Sequence, residues 1–70
     1  MRLSARNQIK GKVTAIERGP IHSKVRIEIG GGNQLTAVIS TEAVDDLKLA
    51  VGQACFAVIK ATSVMVGVDH

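Results

Sequence analysis

A chain of 70 residues makes one small domain, spanning 1–70, whose core is too small to be comfortably stable alone, so oligomerisation or a bound ligand is an expected support. A composition 46% hydrophobic and 21% charged excludes disorder, a lone cysteine excludes an intrachain disulfide, and two distant histidines offer no zinc ligand set. The net charge of +3 favours anions, but Phe56 is the only aromatic residue, so the stacking platforms of single-stranded nucleic-acid binders are missing and a small anion is the better fit.

The chain opens with Ser4-Ala5-Arg6-Asn7-Gln8, which sets a hydroxyl, a guanidinium and a carboxamide within five residues. No acidic residue lies between Met1 and Ile16, so this stretch is a plausible anion cradle. It carries no apolar leader core, and no later run reaches membrane-spanning length, so a soluble, intracellular protein is expected.

Gln8 to Arg18 reads as the first strand. Ile9, Gly11, Val13 and Ala15 share one face and Lys10, Lys12 and Thr14 the other, until the period of two breaks and predicts a bulge or bend near Ala15-Ile16. Gly19-Pro20 is a turn signal. In the second strand Val25, Ile27 and Ile29 alternate with Lys24, Arg26 and Glu28, and Gly30-Gly31-Gly32-Asn33 then predicts a tight hairpin. The third strand runs from Gln34 to about Ser40 with Leu35, Ala37 and Ile39 on one face. Ser40-Thr41-Glu42 reads as a capped helical turn with Val44 and Leu47 facing inward, and Gly52 marks the exit. Cys55 to Ile59, apolar on both faces, predicts a well-buried fourth strand; after the polar stretch Lys60-Ala61-Thr62-Ser63, Val64 to Val68 predicts a fifth.

Three strands, a short helix and two more strands give an all-β protein, a small five-stranded OB-fold barrel with the helix between strands 3 and 4. An SH3-like barrel or an open meander is the alternative. A barrel also removes most exposed edges, which suits a chain this rich in β-branched residues.

Three motifs then carry a resemblance. Ser4-Ala5-Arg6-Asn7-Gln8 with Lys12-Val13, Glu28-Ile29-Gly30-Gly31-Gly32-Asn33, and the run from Ala57 through Lys60-Ala61-Thr62-Ser63 to Val68 resemble, in colinear order over nearly the whole chain, the Mop family of molybdate-binding proteins, the molbindins, whose domain is TOBE-like. The resemblance implies a cytoplasmic OB-fold domain, often a homohexamer, that binds molybdate or tungstate between subunits for storage, buffering or homeostasis.

It also implies which residues do so. Ser4, Arg6 and Lys60 carry over directly to an oxyanion site, joined by Asn7 and Ala61. Independently of the resemblance, Thr41 at the helix start offers a hydroxyl and N–H groups suited to an anion and is a further candidate contributor. Such a site holds its ligand by hydrogen bonds, with no direct protein ligand to the metal. A second class of site in the family uses the turn after the first strand, here Ile21, His22 and Ser23, where Pro20 removes one backbone donor. Molybdate is a tetrahedral dianion with no proton to donate, so donors without carboxylates are the chemistry it requires.

Each feature also has a plainer reading. Ser4 and Arg6 could form a solvated arm, Lys60 could end a strand with its head in water, and His22 could be a surface residue. Cys55 and Met65 read as core, and the glycine triplet as a hairpin, because no Gly-Lys-Ser/Thr follows it to open a helix. No paired carboxylates or nucleophile–histidine constellation supports catalysis, so an enzyme is not expected. The competing function is an OB-type nucleic-acid-binding or protein-interaction module.

Overall fold

The computed structural model describes residues 3–69. Its elements are β1 (Asn7–Glu17), β2 (His22–Gly30), β3 (Asn33–Ser40), α1 (Thr41–Asp46), β4 (Ala54–Ile59) and a 3-10 turn at Ala61–Ser63. The four strands form one antiparallel sheet in the order β3-β2-β1-β4. Val13, Val25, Ile27, Val44 and Ala57 make the core, so every strand but β3 contributes a fully buried residue and α1 covers them with Val44. Ile9, Ile16, Ile29, Leu35, Ile39, Leu49 and Cys55 pack around that centre. Burying a valine or isoleucine contributes about 1.5–3 kcal/mol, and the small set is consistent with a fold of modest stability.

The all-β class with a helix after the third strand is observed, but the fifth strand is not. Residues 64–69 adopt no regular structure, and Met65 and Val66 are 92% and 91% exposed. Among the described residues the alternation of Val64, Val66 and Val68 has no partner strand, and strand propensity alone does not satisfy backbone hydrogen bonds. Among the described residues β3 and β4 each pair on one side, so the sheet is open at both edges.

Four finer expectations are also corrected. The register of β1 against β2 shifts between Val13 and Ala15, one residue earlier than the sequence suggests, which exposes Ala15 and turns Ile16 toward the core. Thr14 is the extra residue, and its hydroxyl donates to the Arg26 carbonyl at 3.3 Å. His22 and Ser23 belong to β2 rather than to the preceding turn. Leu47 is 61% exposed because α1 ends at Asp46 and the chain turns away through Lys48 at φ 52°. β4 buries one face only, and Phe56 and Val58 lie on the outward face beside Lys10 and Gln8. Cys55 lies on the inner face, half-buried and directly across from Gly11.

Local chemistry explains the joints. Gly31 and Gly32 both have positive φ, as a two-residue hairpin loop of the primed type requires, and Asn33 Nδ2 donates to the Gly30 carbonyl at 3.1 Å. Ser40 caps α1, its Oγ accepting from the Ala43 N–H at 3.0 Å. At Gly11 a Cβ atom would stand 2.7 Å from both the Glu28 carbonyl oxygen and Ile27 Cγ2, so β1 and β2 approach as closely as they do only because that side chain is missing.

Candidate oxyanion site

The ladder between β1 and β4 determines where the polar ends meet. Asn7 pairs with Ile59, so the residues just before β1 and just after β4 lie side by side. Ser4, Ala5 and Arg6 form one wall and Lys60, Ala61 and Thr62 the other of an open cleft of about 270 Å³. Both polar stretches thus adjoin within a single chain.

The cleft offers donors and no carboxylate. Ser4 brings a hydroxyl, Arg6 a five-donor guanidinium and Lys60 an ammonium. In the 3-10 turn the Ser63 N–H bonds to the Lys60 carbonyl at 2.9 Å and the Val64 N–H to the Ala61 carbonyl at 3.3 Å. The N–H groups of Ala61 and Thr62 fall before this i→i+3 pattern begins and remain outside it. Among the described residues the ion pairs are Arg18–Asp45 at 2.8 Å and Lys24–Glu17 at 4.0 Å, so Arg6 and Lys60 have no acidic partner there.

Asn7 is placed differently. Its Nδ2 donates to the Ile59 carbonyl at 3.3 Å, between the two walls, and Gln8 Nε2 makes a longer bond of 3.5 Å to the Ala5 carbonyl. Thr62, which sequence reasoning did not single out, lines the cleft with Ala5. Its signal was its place inside the polar stretch Lys60 to Ser63.

Thr41 lies apart from the cleft, at the junction of β2 and α1. Its N–H donates to the Ile21 carbonyl and its hydroxyl to the Gly19 carbonyl, both at 2.8 Å. Thr41 Oγ1 also lies 2.7 Å from Ser23 Oγ. With the one Thr41 proton committed to a carbonyl, Ser23 must be the donor of that bond. Ser23 is only 2% exposed, so both hydroxyls at this junction are turned inward, while Ile21 and His22 are exposed.

A second concavity, of about 360 Å³, lies along Lys10, Gly11, Lys12, Glu28, Ile29 and Gly30. It is larger, but it includes the Glu28 carboxylate, which repels a dianion. The cleft between Arg6 and Lys60 is the better anion site.

Residues 3–66 match the TOBE domain family. The chain is 56% identical over 69 residues to the "probable molybdenum-pterin-binding protein" of Haemophilus influenzae, covering 99% of this chain and 100% of that one. It is 47% identical to molybdenum-pterin-binding protein 1 of Clostridium pasteurianum, over 94% of this chain and 97% of that one. Among solved structures, MopII of Clostridium pasteurianum superposes with a TM-score of 0.89 at 42% identity, covering 96% of this chain and all of the other. The cytoplasmic molybdate-binding protein ModG, solved with molybdate bound, gives 0.82 at 44% identity, over 87% of this chain and 43% of ModG. With its hairpins, its short capped helix and its carboxylate-free cleft, the chain belongs to the TOBE domain family and, within it, to the Mop proteins.

Proposed function

We propose that this chain binds molybdate, or tungstate, as the free oxyanion in the cleft of Ser4, Arg6, Lys60, Ala61 and Thr62, and holds it in the cytoplasm for storage or buffering. The observation that carries this reading is the convergence of Arg6 and Lys60 on one cleft without a carboxylate, in a chain whose relatives are molybdate-binding proteins. Arg6 presents two parallel N–H groups to two oxygens of the tetrahedron, Lys60 a third donor, and Ser4 and the turn N–H groups the rest. Charge-assisted hydrogen bonds contribute on the order of 1.5–3 kcal/mol each, so three near the upper end of that range, as in a sheltered site, reach the roughly 8 kcal/mol of micromolar binding. The role is binding rather than catalysis.

The names of the relatives differ between molybdate and molybdenum-pterin, and the lining favours the bare oxyanion. A pterin ring wants an aromatic or apolar face to stack on. Phe56 stands on the outward face of β4, and the cleft lining contains no aromatic residue.

The same reading makes the protein a homo-oligomer, a hexamer as the family resemblance implies. Its support is the exposed apolar tail, Val64 to Val68, and the open edges of β3 and β4, which a second copy could cover. A neighbouring subunit would then close the open side of the cleft and exclude water from it. A second oxyanion at Ile21, His22 and Ser23 would depend on backbone N–H groups and the His22 imidazole, because the Ser23 and Thr41 hydroxyls are engaged.

Calorimetry with molybdate, sulfate and phosphate tests the assignment. Molybdate should release heat and raise the melting temperature in step with RT ln(1 + [L]/Kd). Absence of heat up to millimolar molybdate, together with salt-sensitive binding to an oligonucleotide, would replace the oxyanion reading with the nucleic-acid one.

A further inference from the structure

The run Ser4 to Gln8 contains two carboxamides beside the two groups suited to an anion, and they do different work. Asn7 is half-buried, begins β1, and is paired with Ile59, the last residue of β4. Arg6 stands one residue before it and Lys60 one residue after Ile59. The bond from Asn7 Nδ2 to the Ile59 carbonyl therefore ties together the two strand ends from which the walls of the cleft arise.

The backbone ladder alone is a poor guarantee of that alignment. Asn7–Ile59 is its terminal pair, and Lys60 leaves it at φ −65°, ψ 139° to enter the 3-10 turn. Terminal pairs open most readily, and every such opening would separate Arg6 from Lys60.

We propose that Asn7 is a positioning residue: its carboxamide pins Ile59 so that Arg6 and Lys60 face one oxyanion before it arrives, and it acts on affinity through them rather than by touching the ligand. The inference rests on the molybdate reading for its consequence but not for its geometry. A preorganised pair of charges binds without first paying the ordering of both walls. Gln8, reaching back to the Ala5 carbonyl, braces the N-terminal wall alone and cannot substitute for a link between the walls.

The test uses the full chain and the variants Asn7→Ala, Asn7→Asp, Lys60→Ala and Asn7→Ala/Lys60→Ala. Asn7→Asp keeps the shape and loses the donor. Amide hydrogen exchange is read without ligand, and molybdate affinity by calorimetry. Both Asn7 variants should speed exchange at the Ser63 and Val64 amides by about tenfold while Val25 and Ile27 in β2 stay unchanged. Asn7→Ala should weaken molybdate by about tenfold in the wild-type background and by less than about twofold once Lys60 is gone, because a brace has nothing left to align.

Unchanged exchange at Ser63 and Val64 overturns the proposal, and so does an increase shared equally by β2, which marks general destabilisation. A tenfold loss that persists without Lys60 overturns it in favour of direct contact. Should the wild-type protein bind no molybdate, the functional reading fails, and the exchange measurement still decides whether Asn7 holds the two walls.

Discussion

Two regions of this molecule gather the same chemistry to opposite effect. At the junction of β2 and α1, Ser23, Thr41 and the Gly19 carbonyl form a closed chain of hydrogen bonds with every hydroxyl proton committed inside the fold. At the shared end of β1 and β4, Ser4, Arg6 and Lys60 line an open cleft without a carboxylate. By residue type alone both look like anion sites, since each joins hydroxyls to a short helical turn. The difference lies in where the protons go: a donor recognises a ligand only if no carbonyl has already taken it.

The largest expected effect would test the cleft side of this contrast. Arg6→Ala removes a bidentate charged partner and should weaken molybdate by roughly 100-fold while leaving the melting temperature without ligand nearly unchanged. Calorimetry and a thermal melt on the same sample read both numbers. A variant that melts early and still binds would assign Arg6 to the fold instead.

The junction should respond in the reverse sense. Thr41→Val keeps the shape but strips the Gly19 carbonyl of its donor and the Ser23 hydroxyl of its acceptor, at a cost of about 1–3 kcal/mol. For a domain this small each kcal/mol lowers the melting temperature by about 4–8 °C. Molybdate affinity should stay within about threefold of wild type, a change too small to mark a direct contact. If it falls as far as in Arg6→Ala, the two regions are not separate in function and Thr41 is a ligand contact after all.

Ser40→Ala gives the smallest change. It deletes the cap accepted from the Ala43 N–H and should cost about 1 kcal/mol. Because α1 carries Val44 into the core but no group into the cleft, urea unfolding should register the loss and the binding isotherm should not. A matching drop in affinity would show that the helix reaches the site by a route the hydrogen bonds do not reveal.

Much of this was legible in the sequence, for reasons that differ by residue. Val25, Ile27 and Ile29 alternate with Lys24, Arg26 and Glu28 because one face of β2 meets the core and the other meets water, and that contrast writes itself as a period of two. The glycine triplet announced its hairpin because only residues tolerant of positive φ can build it. The break in β1 was visible, but which residue is extruded depends on the register with β2, and the extra residue proved to be Thr14.

Hydrophobicity misled at Leu47, Phe56 and Val58, each apolar and each exposed. Periodicity reports what a residue is, not whether an element lies opposite it, and β4 is an edge strand whose outer face no element covers among the described residues. The site was half legible in the same way. Ser4, Arg6 and Lys60 stood out as donors in short polar stretches, but their meeting depends on the pairing of Asn7 with Ile59, 52 positions apart in the chain, which no local pattern encodes.

The tail that leaves this site has a consequence for how any affinity is to be understood. Val64 is tied by its N–H to the Ala61 carbonyl, so the exposed run Val64 to Val68 departs directly from the wall of the cleft. Whatever fixes that run in place also fixes the turn that would face the anion. If its partner is another copy of the chain, ligand and subunit become thermodynamic variables of one another: occupancy strengthens association by the same factor that association strengthens occupancy. A dissociation constant for this protein is then a surface over two concentrations, and a single value quoted without the amount of protein describes only one point on it.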